Sequence, residues 1–171
     1  MISKTCIHPN KANQLIKDFT FKAVNLPFSI KMVKSNRVEY FIEGSIENKN
    51  LKILVPNWKK ADFTKDDCGK AFRKDFVTRC SLARGFSDVT LSLLHEIGHA
   101  MTKAFVPPMT KEIEDYNNKV ENLEMCDVYP LYFNLTNEHM ATDWAIEWLK
   151  VTENRRIAKN FEKKFAKCFI K

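Results

Sequence analysis

The sequence predicts an α+β domain in which a small antiparallel sheet is packed with a metal-binding helix and several further helices. Three observations carry that expectation. β-rich runs are confined to residues 28–55, apolar residues recur at helical spacing on either side of them, and the most apolar of the later segments contains the pattern H-E-x-x-H at His95–His99. At 171 residues the chain is expected to form one domain, 1–171, large enough to need no disulfide for stability. Its cysteines, Cys6, Cys68, Cys80, Cys126 and Cys168, are odd in number with no C-x-x-C pair, and read as reduced thiols. The opening MISKTCIHPNKANQ has no apolar signal-peptide run and no stretch reaches transmembrane length, so a soluble cytoplasmic protein is expected.

Residues 9–24 place Ala12, Leu15, Ile16 and Phe19 on one face, which predicts a first amphipathic helix. Runs 28–33, 38–46 and 51–55 follow, separated by Lys34-Ser35-Asn36-Arg37 and by the turn Glu47-Asn48-Lys49-Asn50. They are expected to form a three-stranded antiparallel meander, its last strand stopped by Pro56. Residues 66–81 carry Ala71, Phe72, Phe76, Val77 and Cys80 at helical spacing and are rich in Lys and Arg, giving either an ordinary surface helix or a basic flap over the site.

The H-E-x-x-H helix comes next, with Ser87 or Asp88 as N-cap and Leu91, Leu94, Ile97 and Met101 as its buried stripe. Beyond Pro107-Pro108, a helix from Thr110 to about residue 125 carries Ile113, Tyr116, Val120 and Leu123. Residues 126–135 read as irregular and aromatic around Pro130. Thr136 or Asn137 then caps a helix over 138–151. A final basic helix, about 153–170, aligns Ile157, Phe161, Phe165 and Phe169, a stripe that core packing explains most simply.

The chemistry follows from the spacing. Residues four apart on a helix diverge by only about 40°, so His95 and His99 project from one face and suit two positions of a tetrahedral zinc site. Glu96 sits about 100° further round, where it is suited to act as a general base without ligating the metal. Two imidazoles leave a catalytic zinc one protein ligand short. The helix Glu138-His139-Met140-Ala141-Thr142-Asp143-Trp144-Ala145 is the expected donor. Its apolar stripe, Ala141, Ala145, Trp148 and Leu149, continues back to Glu138, and small Ala141 suits a close approach of two helices. The alternative register makes His139 the ligand and Asp143, four residues on, its buttress. Tyr129, Tyr132 and His139 are candidates for stabilising an oxyanion.

Taken together, HEIGH at residues 95–99 followed by E-x-x-A-x-x-aromatic-A from Glu138 resembles the glutamate-zincin metallopeptidases of the ImmA/IrrE type. The resemblance covers roughly residues 10–150 and implies a zincin-like fold, with His95, His99 and Glu138 as ligands and Glu96 as base. It also puts Thr142 in the place of a residue that buttresses the site, and Trp144 in the place of a usual Phe. Members are often encoded on phages and mobile elements, and characterised ones cleave DNA-binding regulators, so a protein substrate of that kind is implied. The chain departs from the pattern in its long interval between His99 and Glu138, its basic C-terminal helix and its lack of a helix-turn-helix segment.

The net charge of +7 is unevenly spread. Residues 87–149 hold three basic and eleven acidic side chains, whereas 51–86 hold nine and four and 150–171 hold eight and two. The basic flanks admit a nucleic-acid partner, with a solvated lysine-rich surface as the simpler alternative. Two non-catalytic alternatives follow: a nucleic-acid-associated protein with a structural zinc site, or a protein that only binds its target. The presence of Glu96, which a purely structural site does not require, favours an enzyme. Substrate pairing with the edge of the sheet is a further expectation.

Overall fold

The computed structural model describes residues 5–23, 30–34, 36, 43–47, 50–55, 67–102 and 111–170. Helix dominates these residues, and backbone contacts divide the chain into two units, residues 1–64 with 148–171 and residues 65–147.

The first unit opens with α1, Pro9–Asp18, which buries Ala12 and Ile16 and has Pro in its first turn, where a missing N–H costs no helical bond. It continues as a π-helical segment, Phe19–Ala23, where the Thr20 hydroxyl donates to the Ile16 carbonyl at 2.7 Å. Strands β1, Ile30–Lys34, β2, Glu43–Glu47, and β3, Asn50–Val55, form one sheet in the order β1-β3-β2. The expected antiparallel pairing of the second and third runs is present, with Glu43 opposite Leu54 and Glu47 opposite Asn50. The antiparallel meander is not. β1 runs parallel to β3, with Ile30 opposite Leu51 and Lys34 opposite Val55, so among the described residues the sheet is mixed and β1 does not pair with β2. The central position, shielded by a neighbour on each side, goes to β3, whose Ile53 and Val55 are fully buried. The first residues of the run 28–33, residues 38–42 of the second run, and Pro56 lie outside the described residues.

The basic helix expected at 153–170 is α7, Thr152–Ala166, with Ala158, Phe161 and Phe165 buried. Phe161 stacks against Phe165 at 5.3 Å and meets Phe19 at a tilt at 4.6 Å, and Trp148 meets Phe19 edge-on at 5.9 Å. After α7 the chain pairs with the opposite end of the sequence: Ile7 N–H donates to the Cys168 carbonyl at 2.8 Å, and Ile170 N–H to the Thr5 carbonyl at 3.0 Å. The apolar stripe of α7 is thus a core stripe, as its four-residue spacing requires.

The second unit holds α2, Asp67–Arg79, a 3₁₀ turn, Ser81–Gly85, and α3, Asp88–Thr102. It also holds α4, Lys111–Val120, α5, Met125–Tyr132, and most of α6, Thr136–Lys150. The start of α3 is held twice. Ser87 Oγ accepts from Thr90 N–H at 3.3 Å as an N-cap, and Arg73 on α2 binds Asp88 at 2.6 Å and the Phe86 carbonyl at 2.9 Å. Of residues 126–135, expected to be irregular, 126–132 instead belong to α5, with Pro130 inside it, and 133–135 lie outside any helix. Tertiary packing outweighs the proline there, because the end of α5 carries rings that pack on its neighbours. Phe133 lies 5.5 Å from Phe72 on α2, and Tyr132 lies 6.5 Å from Tyr116 on α4.

No helix among the described residues is long and apolar enough to cross a membrane. The five cysteines are free thiols.

Candidate metal centre

The site is built where α3 and α6 meet. α3 is buried along most of its length: Leu91, Leu93, Leu94, Ile97 and Ala100 are fully inaccessible, and its histidines keep only a small exposed surface. The two helices touch backbone to backbone at Gly98 and Ala141. A methyl group on Gly98 would stand 2.3 Å from the Ala141 carbonyl oxygen, so only glycine permits this approach. Glu138 precedes Ala141 by three residues and Thr142 follows it, so the contact delivers both to the histidines that flank Gly98.

His95, His99 and Glu138, all buried, bring one ligand-capable atom each to within 4.8 Å of one another. Glu138 Oε2 lies 2.9 Å from His95 Nε2 and 3.5 Å from His99 Nε2. Tetrahedral sites with bonds of about 2.0–2.1 Å place neighbouring donor atoms about 3.4 Å apart, between these two separations. Two imidazoles and a carboxylate are also the donor chemistry of a catalytic zinc site, so the residues fit the ion. The other ring nitrogen of His95, Nδ1, lies 3.1 Å from the hydroxyl of Thr142, a fully buried residue. A proton on Nδ1 would leave the Nε2 lone pair for a metal, the arrangement that an outer hydrogen bond enforces. Phe72 meets the His95 ring edge-on at 5.4 Å and Phe76 lies 6.4 Å from it, so α2 covers this histidine with its apolar face. The opposite side of α2 contributes Lys70, Arg73, Lys74 and Val77, with Arg84, to a surface cleft of about 350 Å³. The basic segment therefore does cover His95, with its charges turned away, while its residues 59–66 lie outside the described region.

Burial, the strongest influence on His95, disfavours its cationic form and outweighs the opposing pull of Glu138, so its pKa falls. Burial alone would raise Glu138, but its contacts with His95 and His99 prevail and hold the carboxyl well below the usual range. The site thus presents a neutral imidazole and a carboxylate, the forms that bind metal. Tyr132 donates its hydroxyl to Glu138 Oε1 at 2.8 Å. Partial burial, followed by the nearby charges of Glu138 and Glu96, pushes that phenol far up, so it remains a protonated donor.

Glu96, half-buried on α3, is near enough to Tyr132 for its charge to be felt there. His139 and Asp143 are not brought to the histidine pair. His139 lies exposed with Nε2 3.7 Å from Asp143, and Asp143 in turn bonds Arg79, which also reaches Asp75 and the His139 carbonyl. Tyr132, a candidate oxyanion donor in sequence, has its proton engaged by Glu138, and Tyr129 is half-buried on α5. The start of α6 is capped across space. Glu112 on α4 accepts from the Thr136 N–H and hydroxyl, each at 2.8 Å, in place of the expected Thr136 or Asn137 side chain.

Two contributors had no role in the sequence pattern. Gly98 stands in the variable part of H-E-x-x-H, and its need for a bare backbone shows only against Ala141. Asn137 reads as a helix cap, yet its buried amide donates to Glu138 Oε1 at 3.1 Å. Its Oδ1 has no hydrogen-bond partner among the described residues.

Comparison with protein-family models, with curated proteins and with solved structures returns no match to this chain.

Proposed function

We propose that this protein is a zinc-dependent metallopeptidase of zincin-like build that hydrolyses peptide bonds in a protein substrate. The observation that carries the reading is the convergence of His95 and His99 of α3, the helix that also bears Glu96, with Glu138 of α6. His95, His99 and Glu138 would hold the ion, which supplies Lewis-acid activation of water and of the scissile carbonyl when bound. Thr142 fixes the His95 ring, and Tyr132 remains bonded to Glu138. Glu96 accepts a proton from the attacking water and returns it to the leaving amine. The resemblance to glutamate-zincins extends the proposal to a substrate class, regulatory DNA-binding proteins of phages or mobile elements.

The test is hydrolysis of a peptide library by the zinc-loaded protein beside its Glu96→Gln variant. Glutamine keeps the side chain's size but removes its basicity, so zinc is expected to stay while cleavage falls by roughly 10²-fold or more. Equal cleavage by the variant would remove Glu96 as the base, and no cleavage of the library or of co-encoded proteins would remove the peptidase reading.

A further inference from the structure

The two oxygens of Glu138 have different surroundings. Oε2 faces His95 Nε2 at 2.9 Å and His99 Nε2 at 3.5 Å. Oε1 accepts from the Tyr132 hydroxyl at 2.8 Å and from Asn137 Nδ2 at 3.1 Å. We propose that Tyr132 and Asn137 are positioning residues that clamp Oε1 and so hold Glu138 as a one-oxygen ligand, a role that rests on the metallopeptidase reading.

A carboxylate oxygen has about two lone-pair directions, and two donors occupy both. An unclamped carboxylate is free to bind a metal through both oxygens. The second oxygen would then take a coordination position that a catalytic zinc site, with three protein ligands, keeps open for water or substrate. The clamp comes from two directions: Asn137 from the same helix as Glu138, and Tyr132 from the end of α5. The Asn137 side chain has one polar bond to a neighbour and leaves its buried Oδ1 without a partner among the described residues. A buried acceptor in that condition is destabilising, and an apolar side chain of similar size would avoid it. What asparagine supplies at this place is the N–H on Oε1.

Cobalt(II) reads this directly, because its visible absorption is intense in four-coordinate sites and weak in five-coordinate ones. Cobalt(II)-loaded wild type would be compared with Tyr132→Phe, Asn137→Leu and the double variant, each checked for folding by circular dichroism. Thr142→Ala is the comparison, since Thr142 touches His95 and not Glu138 Oε1. Wild type and Thr142→Ala are expected to give the intense four-coordinate spectrum, with affinity lowered about 10–100-fold in Thr142→Ala. The double variant is expected to shift to the weak five-coordinate spectrum. If the double variant does not fold, Tyr132→Phe, which removes one oxygen from a partly exposed ring, carries the same readout in smaller degree. A four-coordinate spectrum in the folded variants would overturn the clamp while leaving the metal site standing. Failure of the wild type to take up cobalt(II) would overturn the metal reading, and the clamp with it.

Discussion

Gly98 and Ala141 meet through their backbones, and a methyl group on Gly98 would stand 2.3 Å from the Ala141 carbonyl oxygen. This contact brings Glu138 and Thr142 to His95, with Glu138 also reaching His99.

Gly98→Ala is therefore expected to force α3 and α6 apart. The clash is with backbone, which no side-chain rotation can relieve, so the overpacking is expected to cost about 1–3 kcal/mol. Denaturant unfolding measures the loss, and a zinc titration should show weakened binding even where the variant remains folded. Unchanged stability and zinc affinity would mean that the helix approach does not set the site.

The proposed third ligand is separable from its neighbour. Glu138→Ala should weaken zinc binding far more than His139→Ala, because Glu138 faces both histidines whereas His139 is exposed and turned to Asp143. Thr142→Ala should fall between them, by ~10–100-fold, through loss of the contact on His95. Competitive zinc titration of the three variants gives the order. Severe effects from His139→Ala and Asp143→Ala would move the ligand to His139.

Much of this centre was legible because helical spacing is a local property. His95, Glu96 and His99 follow from the pattern itself, Glu138 from continuing the stripe back through Ala145 and Ala141, and Thr142 from the resemblance to glutamate-zincins. The order of the strands was not legible: whether β1 lies beside β2 or beside β3 depends on pairing between distant residues. α5 was hidden by Pro130, whose cost is overridden by the packing of Tyr132 and Phe133. The bonds of Tyr132 and Asn137 to Glu138 Oε1 were hidden for a similar reason, since the first joins α5 to α6.

The basic surface of α7 makes a further expectation testable. Phe161 and Phe165 account for its apolar side by packing, and Lys159, Lys163 and Lys164 lie at its solvent side, Lys159 partly so and paired with Glu162 at 3.0 Å. Charge reversal at the three lysines should leave thermal stability within about 0.5 kcal/mol for each substitution. Nucleic-acid binding, measured by fluorescence anisotropy against added salt, should be weak and unaltered by the reversal. Tight binding with a steep salt dependence that the reversal abolishes would instead give α7 a phosphate-contacting role.

Metal content of the purified protein tests the central claim most directly. Elemental analysis of the wild type should find about one zinc per chain, since three buried donors of this chemistry converge at a single point. His95→Ala and His99→Ala should each remove most of it, and the double variant all of it. Full zinc occupancy in the double variant, or a wild type that takes up no zinc even when supplied with it, would contradict the site described.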